Sequence, residues 1–355
     1  MANGALRALR LGSADNIPKA CNLPTGLGKT SVIAIWLIAL ANGKTVPRRL
    51  VYVVNRRTVV DQTTVEVEKY FAQKVPGIPE FAISTLRGQF ADNREWSADP
   101  SRPAVICGTV DMIGSRLLFS GYGVGFKGKP VHAGFLGQDA LLIHDEAHLE
   151  PAFQKLIEAI ETEQERCQEF RRFRVMELTA TSRSDEKPFE LTQAELAQPE
   201  EIPVEAELPI HRVWQRLNSK KALVPNAIAD EKKDLVPKIV ALALAHKDSE
   251  PSSAVLVFVR TVEAVGEVVA GLKKAKVDKE NIETLTGTMR GLEREKMAST
   301  SKVFARFKVD SPAEKQPGTV YLVCTSAGKL ASICRPITWS AIYRHSIAWP
   351  SGSVA

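Results

Sequence analysis

The chain has 355 residues, of which 44% are hydrophobic and 25% are charged, and its formal net charge is +6. This composition is ordinary for a globular protein of two domains, and the mild positive charge permits a polyanionic partner without requiring one. No apolar run reaches the ~18 residues of a transmembrane helix, and five scattered cysteines without a CxxC pair argue against a disulfide framework and structural zinc. Because the first residues also lack the apolar core of a signal peptide, we expect a cytoplasmic protein with no membrane partner.

Short apolar runs alternate with helical patterns along most of the chain. The helical patterns are Thr30–Ala41, Arg57–Gln73, Phe153–Arg172 and Thr261–Ala275. The apolar runs, which are rich in β-branched residues, are RLVYVVN (49–55), AVICGTV (104–110), ALLIHDE (140–146), RVMELTA (174–180), AVLVFVR (254–260) and TVYLVCT (319–325). Nearly continuous apolar strands are typical of parallel sheets that are covered on both faces, so the pattern predicts a doubly wound α/β fold.

The composition changes between residues 184 and 253, which are rich in Glu, Lys, Ala and Pro. This change predicts an interdomain linker near 184–210. The expected organisation is a first α/β domain (1–205), a linker or helical insert (206–250), a partial second α/β domain (251–328) and an atypical tail (329–355).

The strongest local signal is LPTGLGKTSVIAIWL, at Leu23–Leu37. Two glycines let the backbone curl so that N–H groups point at phosphate oxygens, and the N-terminus of the following helix favours the anion. Lys29 can then reach the β- and γ-phosphates, and the Thr30 hydroxyl can bind Mg²⁺. The predicted ATP-binding residues are Pro24, Thr25, Gly26, Leu27, Gly28, Lys29 and Thr30. The alternative is a chance glycine-rich turn before a core helix.

An acidic pair, Asp145 and Glu146, ends the apolar run in ALLIHDEAHLEPAF (140–153). A carboxylate at this position can hold Mg²⁺ directly or through water, and its neighbour can orient or deprotonate the attacking water. We assign the first role to Asp145 and the second to Glu146, while His148 can couple the γ-phosphate to the other domain. Together with Lys29, these residues are the predicted catalytic set. A surface acidic turn at the end of a strand is the alternative.

A third motif, MELTATSRS (176–184), places Thr179, Ala180 and Thr181 after another buried strand. Small hydroxyl residues there can hydrogen-bond to the acidic loop and so couple its state to the rest of the protein. Taken alone, this motif is weak and more typical of a solvated turn, and its interpretation depends on the order of the motifs.

In chain order, these motifs together with VYVVNRRTVVDQT, VICGTVDMIGSRLL, VLVFVRTVEAV, LTGTMRGLERE and VCTSAG resemble the motif series of a superfamily 2 helicase. The stretches VVNRRTVVDQT, GTVDMIGSRLLFSGYGVG, PVHAGFLGQDALLIHDEAHLEPAFQ and LTGTMRGLERE are similar to one family within it. This family is the CRISPR-associated helicase–nuclease of type I systems, in the subtype whose helicase part comes first. The resemblance covers roughly residues 20–328 and implies two RecA-like doubly wound domains, the second incomplete at its C-terminus.

The resemblance implies a protein that uses ATP and Mg²⁺ to translocate on single-stranded DNA. An RNA-guided type I CRISPR surveillance complex would recruit it after the R-loop forms. Nothing in the chain matches the HD nuclease domain of the family, so nuclease activity is not predicted. Two alternatives remain: another superfamily 2 helicase that acts in repair or RNA metabolism, and a non-catalytic nucleic-acid-binding remnant.

Residues that follow the strands are predicted to contact the nucleic acid. Strand-tracking proteins hold phosphates with cationic side chains, hydroxyls and backbone amides, and open α/β sheets bind ligands at the C-terminal ends of their strands. The predicted contacts are Arg56, Arg57, Thr58, Gly108, Thr109, Val110, Arg260, Thr261, Thr286, Gly287 and Thr288. By the resemblance, Thr325 and Ser326 of VCTSAG join the coupling residues. For each contact taken alone, a helix cap or a solvated charge is the alternative.

The last residues depart from the family pattern. After TSAG the family continues into a segment like EVGVN and then a glutamine–arginine segment that supplies arginine fingers, whereas residues 329–355 contain neither and no acidic residue. Permissible codons for Gly328–Ala355, read one base earlier, yield EVGVNMPTDHMVCDLSTFDSMAQRFGR. We therefore interpret residues 329–355 as out-of-frame sequence, with a divergent natural tail as the alternative, and gene sequencing tests this. On this interpretation the chain binds ATP·Mg²⁺ weakly, hydrolyses it slowly and does not unwind DNA.

Overall fold

The structure is a computed structural model. It describes residues 17–23, 27–55, 60, 63–64, 67–68, 80–86, 95–179, 188–196, 217–218, 224–247, 253–287, 289, 293, 296–297, 300–307 and 318–325. The chain divides into two compact units, Met1–Lys221 and Ala222–Ala355.

The first unit is built on a parallel sheet. Its strands are β1 (Ala20–Asn22), β2 (Arg49–Val54), β3 (Ala82–Leu86), β4 (Ala104–Thr109), β5 (Ala140–Asp145), β6 (Arg174–Thr179) and β7 (Phe189–Glu190). Their spatial order is β3-β4-β2-β5-β6-β1-β7, and every neighbouring pair is parallel. All carboxyl ends of the strands therefore lie along one edge of the sheet.

Helices follow most of these strands. They are α1 (Ser31–Ala41), α2 (Glu95–Ala98), α3 (Val110–Leu117), α4 (Gly128–Gly137), α5 (Pro151–Arg166) and α6 (Gln193–Leu196), with a 3₁₀ turn at Ala147–Leu149. Proline at the first position of α5 suits a helix start, because its missing N–H would have no partner there.

The sheet of the first unit is covered on both faces. Along β2, Val51 and Val53 join one hydrophobic cluster, whereas Leu50, Tyr52 and Val54 join the other. Alternate residues of a strand point to opposite faces, so a strand buried on both sides must be apolar throughout.

The second unit is also built on a parallel sheet with an apolar cluster on each face, but its sheet has fewer strands. Its elements are α7 (Glu231–Leu244), β8 (Ala254–Phe258), α8 (Val262–Lys274), a 3₁₀ turn at Lys279–Asn281, β9 (Ile282–Leu285), α9 (Lys302–Ala305) and β10 (Val320–Cys324). The parallel sheet has the order β8-β10-β9. Along β10, Leu322 and Cys324 face one cluster, and Tyr321 and Val323 face the other.

The predicted α/β fold is confirmed, and the six predicted strands are present as β2, β4, β5, β6, β8 and β10. The patterns Thr30–Ala41 and Thr261–Ala275 correspond to α1 and α8. The prediction of a helix to Arg172 was wrong, because α5 ends at Arg166 and Gln168 and Arg171 have positive φ angles of 54° and 55°. A left-handed backbone cannot continue a right-handed helix.

The sequence patterns missed four strands, and three of them lie at sheet edges. In β3 the buried residues alternate with partly exposed ones, and β9 is mostly half-buried, so neither has a continuous apolar run. The strands β1 and β7 have only three and two residues. β7 falls within the predicted linker 184–210 and extends the first sheet beside β1.

None of the helices in the described part of the chain combines the length and the apolar character that a membrane crossing needs.

Candidate functional site

The end of the predicted phosphate loop lies between β1 and α1. Gly28 has a φ of 79°, a left-handed conformation that glycine adopts without penalty. The Ser31 N–H donates to the Gly28 carbonyl at 2.9 Å, and Thr30 is the N-cap of α1 without using its hydroxyl as a cap. The Thr30 side chain is therefore available for another partner, and the N-terminus of an 11-residue helix lies beside Lys29.

The acidic pair lies at the carboxyl end of β5. Asp145 is the last residue of the strand, and Glu146 follows in a left-handed conformation with φ 54° and ψ 41°. The Glu146 N–H donates to the Leu178 carbonyl of β6 at 2.9 Å, which fixes this turn against the neighbouring strand. The Glu146 side chain is exposed to solvent.

Tyr52, which the sequence patterns did not single out, connects the loop to the acidic pair. Its hydroxyl donates to Asp145 Oδ2 at 2.8 Å and is also hydrogen-bonded to the Thr30 side chain. Tyr52 is 1% exposed. Burial raises its pKa well above the usual value, and the Asp145 carboxylate raises it further, so the hydroxyl keeps its proton. The sequence did contain one indication of this role. Tyr52 lies in an apolar run, and the hydroxyl of a buried tyrosine requires a hydrogen-bond partner.

Burial raises the pKa of the Asp145 carboxyl above its ordinary value, and three neighbours modify this effect. The Tyr52 hydrogen bond and the charge of Lys29 lower the pKa, whereas the charge of Glu146 raises it. Lys29 of the predicted loop thus acts on the carboxylate of β5, although 116 positions separate them in the sequence. The structure brings together Lys29, Thr30 and Asp145 of the predicted site.

The predicted coupling residues occupy different environments. His148 is exposed on the 3₁₀ turn that follows Glu146, and Thr179 is buried at the end of β6. The main-chain hydrogen bond from the Glu146 N–H to the Leu178 carbonyl links this strand to the acidic turn. In the second unit, Thr325 is buried and its N–H donates to the Leu285 carbonyl at 3.2 Å.

The predicted contacts after β4 have clear local roles. Thr109 is the N-cap of α3, and its hydroxyl accepts from the Met112 N–H at 3.4 Å. Gly108 leaves room for Ile113, because a Cβ there would lie 2.8 Å from the Ile113 side chain. Val110 begins α3 and is partly exposed. A capping hydroxyl keeps its own hydrogen for donation, so capping and phosphate contact are compatible.

The predicted contacts of the second unit lie on loops at the carboxyl ends of its strands. Arg260 and Thr261 follow β8, and both are exposed. Thr261 is the N-cap of α8, and its hydroxyl accepts from the Ala264 N–H at 3.2 Å. Thr286 and Gly287 follow β9, where Thr286 is partly exposed and Gly287 is exposed.

Several predicted site residues lie outside the described residues. They are Pro24, Thr25, Gly26, Arg56, Arg57, Thr58, Ala180, Thr181, Thr288 and Ser326, together with the tail 329–355. Their assignments stay predictions.

Comparison with known proteins gives a family match and a fold. Residues 10–184 match the family described as "Type III restriction enzyme, res subunit" (ResIII), and no curated protein matches the chain in sequence. T. fusca Cas3 with AMPPNP covers 93% of this chain at 15% identity and a TM-score of 0.57, and 41% of that chain is matched. The DUF1998 helicase MrfA bound to DNA and AMPPNP covers 92% at 12% identity and a TM-score of 0.51, with 42% of that chain matched.

A third similar structure is Mycobacterium smegmatis helicase Lhr bound to ssDNA and AMP-PNP, which covers 92% of this chain at 14% identity and a TM-score of 0.50. Of that chain 39% is matched, so our chain spans about two fifths of the length of these three structures. At such identities the likeness establishes the fold alone. With its two parallel sheets, this chain has the fold of RecA-like helicase domains.

Proposed function

We propose that this chain is the motor part of an ATP-dependent translocase that moves on single-stranded DNA in type I CRISPR interference. The observation that carries the proposal is the hydrogen-bonded connection Thr30–Tyr52–Asp145 at the carboxyl edge of the first sheet. It joins the loop predicted to bind phosphates to the carboxylate predicted to hold the metal. A chance glycine-rich turn and an unrelated acidic turn would not be expected to share one buried tyrosine.

The residues of this edge fit the binding of ATP. The N-terminus of α1 and the charge of Lys29 attract phosphate oxygens. The Thr30 hydroxyl and the Asp145 carboxylate are hard oxygen ligands of the kind that Mg²⁺ prefers, and they come from two elements that Tyr52 holds together. Bound there, Mg²⁺ would neutralise charge on the phosphate oxygens.

Glu146 is the proposed general base. Its exposed carboxylate can accept a proton from water while the water oxygen bonds to the γ-phosphorus and the bond to the bridging oxygen of ADP breaks. The main-chain hydrogen bond from Glu146 to Leu178 then connects the reacting centre to β6. This strand ends at Thr179, which the predicted coupling residues Ala180 and Thr181 follow in the sequence. His148, Thr325 and Ser326 complete the proposed coupling set.

The DNA strand is proposed to follow the loops at the carboxyl ends of the strands. In the first unit, Gly108 and Thr109 end β4 and Val110 begins α3, and Arg56, Arg57 and Thr58 are further predicted contacts. In the second unit, the loops carry Arg260, Thr261, Thr286, Gly287 and the predicted contact Thr288. Backbone amides and hydroxyls there would hold phosphates without reading bases. The neighbours bound to DNA and to ssDNA, MrfA and Lhr, support this choice of ligand.

The test is the ATPase activity of the purified chain with no nucleic acid, with single-stranded DNA and with RNA. We expect slow hydrolysis that single-stranded DNA stimulates only modestly, and loss of this activity in Lys29→Ala. Stimulation by RNA alone would favour a helicase of RNA metabolism, and DNA binding without hydrolysis would favour a non-catalytic remnant. The CRISPR role is tested separately by measuring binding to a type I surveillance complex with and without its R-loop.

A further inference from the structure

The segment between α3 and α4 exposes several large apolar side chains. Five of the eleven exposed large hydrophobic side chains among the described residues lie between positions 118 and 131. Three of them are aromatic: Phe119 and Tyr122 are each 59% exposed, and Phe126 is 87% exposed. We call residues 118–127 the aromatic segment. A local concentration of exposed apolar side chains is typical of an interaction site.

The backbone of the aromatic segment is held by local hydrogen bonds. The Ser120 N–H donates to the Ser115 carbonyl at 2.7 Å, and the Val124 N–H donates to the Gly121 carbonyl at 3.2 Å. The Gly128 N–H donates to the Gly125 carbonyl at 2.9 Å, where α4 begins. The aromatic rings are therefore presented to solvent by a folded backbone, and binding would not need to order the segment first.

The charged residues next to the aromatic segment in the sequence have one sign. No acidic residue occurs between Asp111 and Asp139, whereas Lys127 and Lys129 are present, exposed and partly exposed respectively. Proteins that bind single strands without reading sequence combine cations for the phosphates with aromatic rings on which bases stack. The aromatic segment supplies both kinds of group and contains no carboxylate to repel a polyanion.

We propose that the aromatic segment is an additional contact for single-stranded nucleic acid. Bases stack on Tyr122 and Phe126, with Phe119 beside them in sequence, while Lys127 and Lys129 hold phosphates. The preceding helix α3 has eight residues and spans about 12 Å, so the segment begins one short helix from the predicted phosphate contact Thr109. The proposal rests on the proposed function, since it extends the path of the same strand.

The experiment measures binding of a fluorescein-labelled oligothymidylate to the full chain without nucleotide, by fluorescence anisotropy. Because stacking contributes about 1–3 kcal/mol per base, the double variant Tyr122→Ala/Phe126→Ala should bind at least about fivefold more weakly than the wild type. Phe170→Ala is the matched control, since Phe170 is an 81% exposed phenylalanine of the same unit outside the segment. Its affinity should equal that of the wild type. All these side chains are exposed, so thermal unfolding should not change.

Two further variants separate stacking from simple apolar contact. Phe126→Trp keeps a ring and should retain binding, whereas Phe126→Leu keeps an apolar side chain without a π-face and should weaken it. An oligonucleotide that contains 5-iododeoxyuridine should also photo-crosslink to Tyr122 or Phe126, and mass spectrometry identifies the site. Equal binding by the leucine and tryptophan variants would contradict stacking.

The outcomes distinguish this inference from the proposed function. If the wild type binds the oligonucleotide and the double alanine variant binds equally well, the inference is wrong and the segment faces a protein instead. If the wild type does not bind at all, the nucleic-acid part of the proposed function fails together with it.

Discussion

Two acidic residues flank β5 and share an unusual backbone conformation. Asp139 precedes the strand with a φ of 50°, and Glu146 follows it with a φ of 54°. A left-handed conformation costs about 1–2 kcal/mol for a residue with a side chain, so both ends of this strand carry strain. The two residues differ in what their side chains do.

At the amino end, the Asp139 carboxylate has several partners. It accepts from the Arg48 N–H at 3.0 Å and from Arg171 at 3.1 Å, and the Arg49 N–H donates to the Asp139 carbonyl at 3.1 Å. These bonds tie the start of β2 and the turn before β6 to the start of β5. The strain at Asp139 is therefore compensated by structural contacts.

At the carboxyl end, the Glu146 backbone is held, but within the described residues its carboxylate has neither a hydrogen bond nor an ion pair. Strain that gains no contact for the side chain favours a functional interpretation, because the fold gains nothing by aiming that carboxylate at solvent. The comparison indicates that strain alone does not identify a site. Strain at an exposed carboxylate, next to Asp145 and so near the predicted phosphate loop, supports the proposal of a site.

The largest expected effect comes from Glu146→Gln, which keeps the size of the side chain and removes the proton acceptor. The rate constant kcat for ATP hydrolysis should fall about 10²–10⁴-fold, while nucleotide affinity stays unchanged. Steady-state ATPase assays and equilibrium binding of a fluorescent ATP analogue measure the two. Asp139→Asn is the matched control and should leave kcat of the folded protein intact. Equal losses of kcat in both variants would remove the distinction between the two ends of β5.

The second effect concerns Tyr52→Phe, which removes one hydroxyl and keeps the ring. A hydrogen bond to a charged group contributes about 1.5–3 kcal/mol, so losing it should raise the Mg²⁺ concentration needed for nucleotide binding about tenfold or more. Nucleotide binding without Mg²⁺ should not change. This control separates an effect on the proposed metal ligands Thr30 and Asp145 from general damage to the fold. The measurement is a Mg²⁺ titration of fluorescent nucleotide binding.

Tyr321→Phe in β10 is the control for Tyr52→Phe, because Tyr321 is also 1% exposed but lies in the second unit. It should titrate like the wild type. If Tyr52→Phe also does so, the Tyr52 hydroxyl contributes to packing only.

The sequence predicted those parts of the site whose chemistry is local. Gly28, Lys29 and Thr30 stand next to each other, and Asp145 and Glu146 are neighbours at the end of an apolar run. Tyr52 was missed because its partner Asp145 is 93 positions away, and only the pairing of β2 with β5 brings them together. The pattern of a single sequence does not show which residues of two strands lie side by side.

The same limit explains two other differences. Gly108 was predicted as a contact from its place after a strand, but the close approach of Ile113 gives it a packing role that only three-dimensional structure reveals. The edge strand β3 was missed because an edge is less buried and its residues alternate in burial. Apart from the three-residue strand β1, the central strands were predicted correctly, because burial on both faces makes their sequences almost uniformly apolar.

A third prediction compares glycine at the two strained positions. Glu146→Gly relieves about 1–2 kcal/mol of backbone strain and adds about 0.5–1 kcal/mol of chain entropy to the unfolded state. The free energy of unfolding should therefore rise by up to about 1 kcal/mol, although catalysis is lost. Asp139→Gly relieves similar strain but removes the carboxylate that accepts from the Arg48 N–H and from Arg171. The free energy of unfolding should therefore fall by about 1–2 kcal/mol. The half-exposed ion pair with Arg171 contributes little to this loss.

Urea unfolding of the two glycine variants provides the measurement. Stabilisation by both substitutions would mean that the contacts of Asp139 do not compensate its strain.

The smallest effect concerns Glu161, a buried carboxylate of α5 near the amino end of β6. It accepts from the Val175 N–H at 3.2 Å, and burial raises its pKa above the ordinary 4.5. Between pH 4.5 and its raised folded pKa, Glu161 of the folded protein therefore holds a proton that the unfolded chain has released, and this contribution to stability is lost as the pH rises through the folded pKa. Glu161→Gln keeps a carbonyl for Val175 and does not titrate. It should be more stable than the wild type at neutral pH, and the difference should vanish below pH 4.5.

Glu163→Gln on the exposed side of the same helix provides a control of opposite sign. Its hydrogen bond with Arg166 lowers the pKa of Glu163, so this carboxylate contributes stability above its ordinary pKa and loses it as the pH falls. The glutamine variant should be equal to or slightly less stable than the wild type at neutral pH, and never more stable. Urea unfolding across this pH range measures both variants. If Glu161→Gln instead destabilises the protein at neutral pH, the Glu161 carboxylate is a charged structural partner, as Asp139 is, and burial is not its dominant influence.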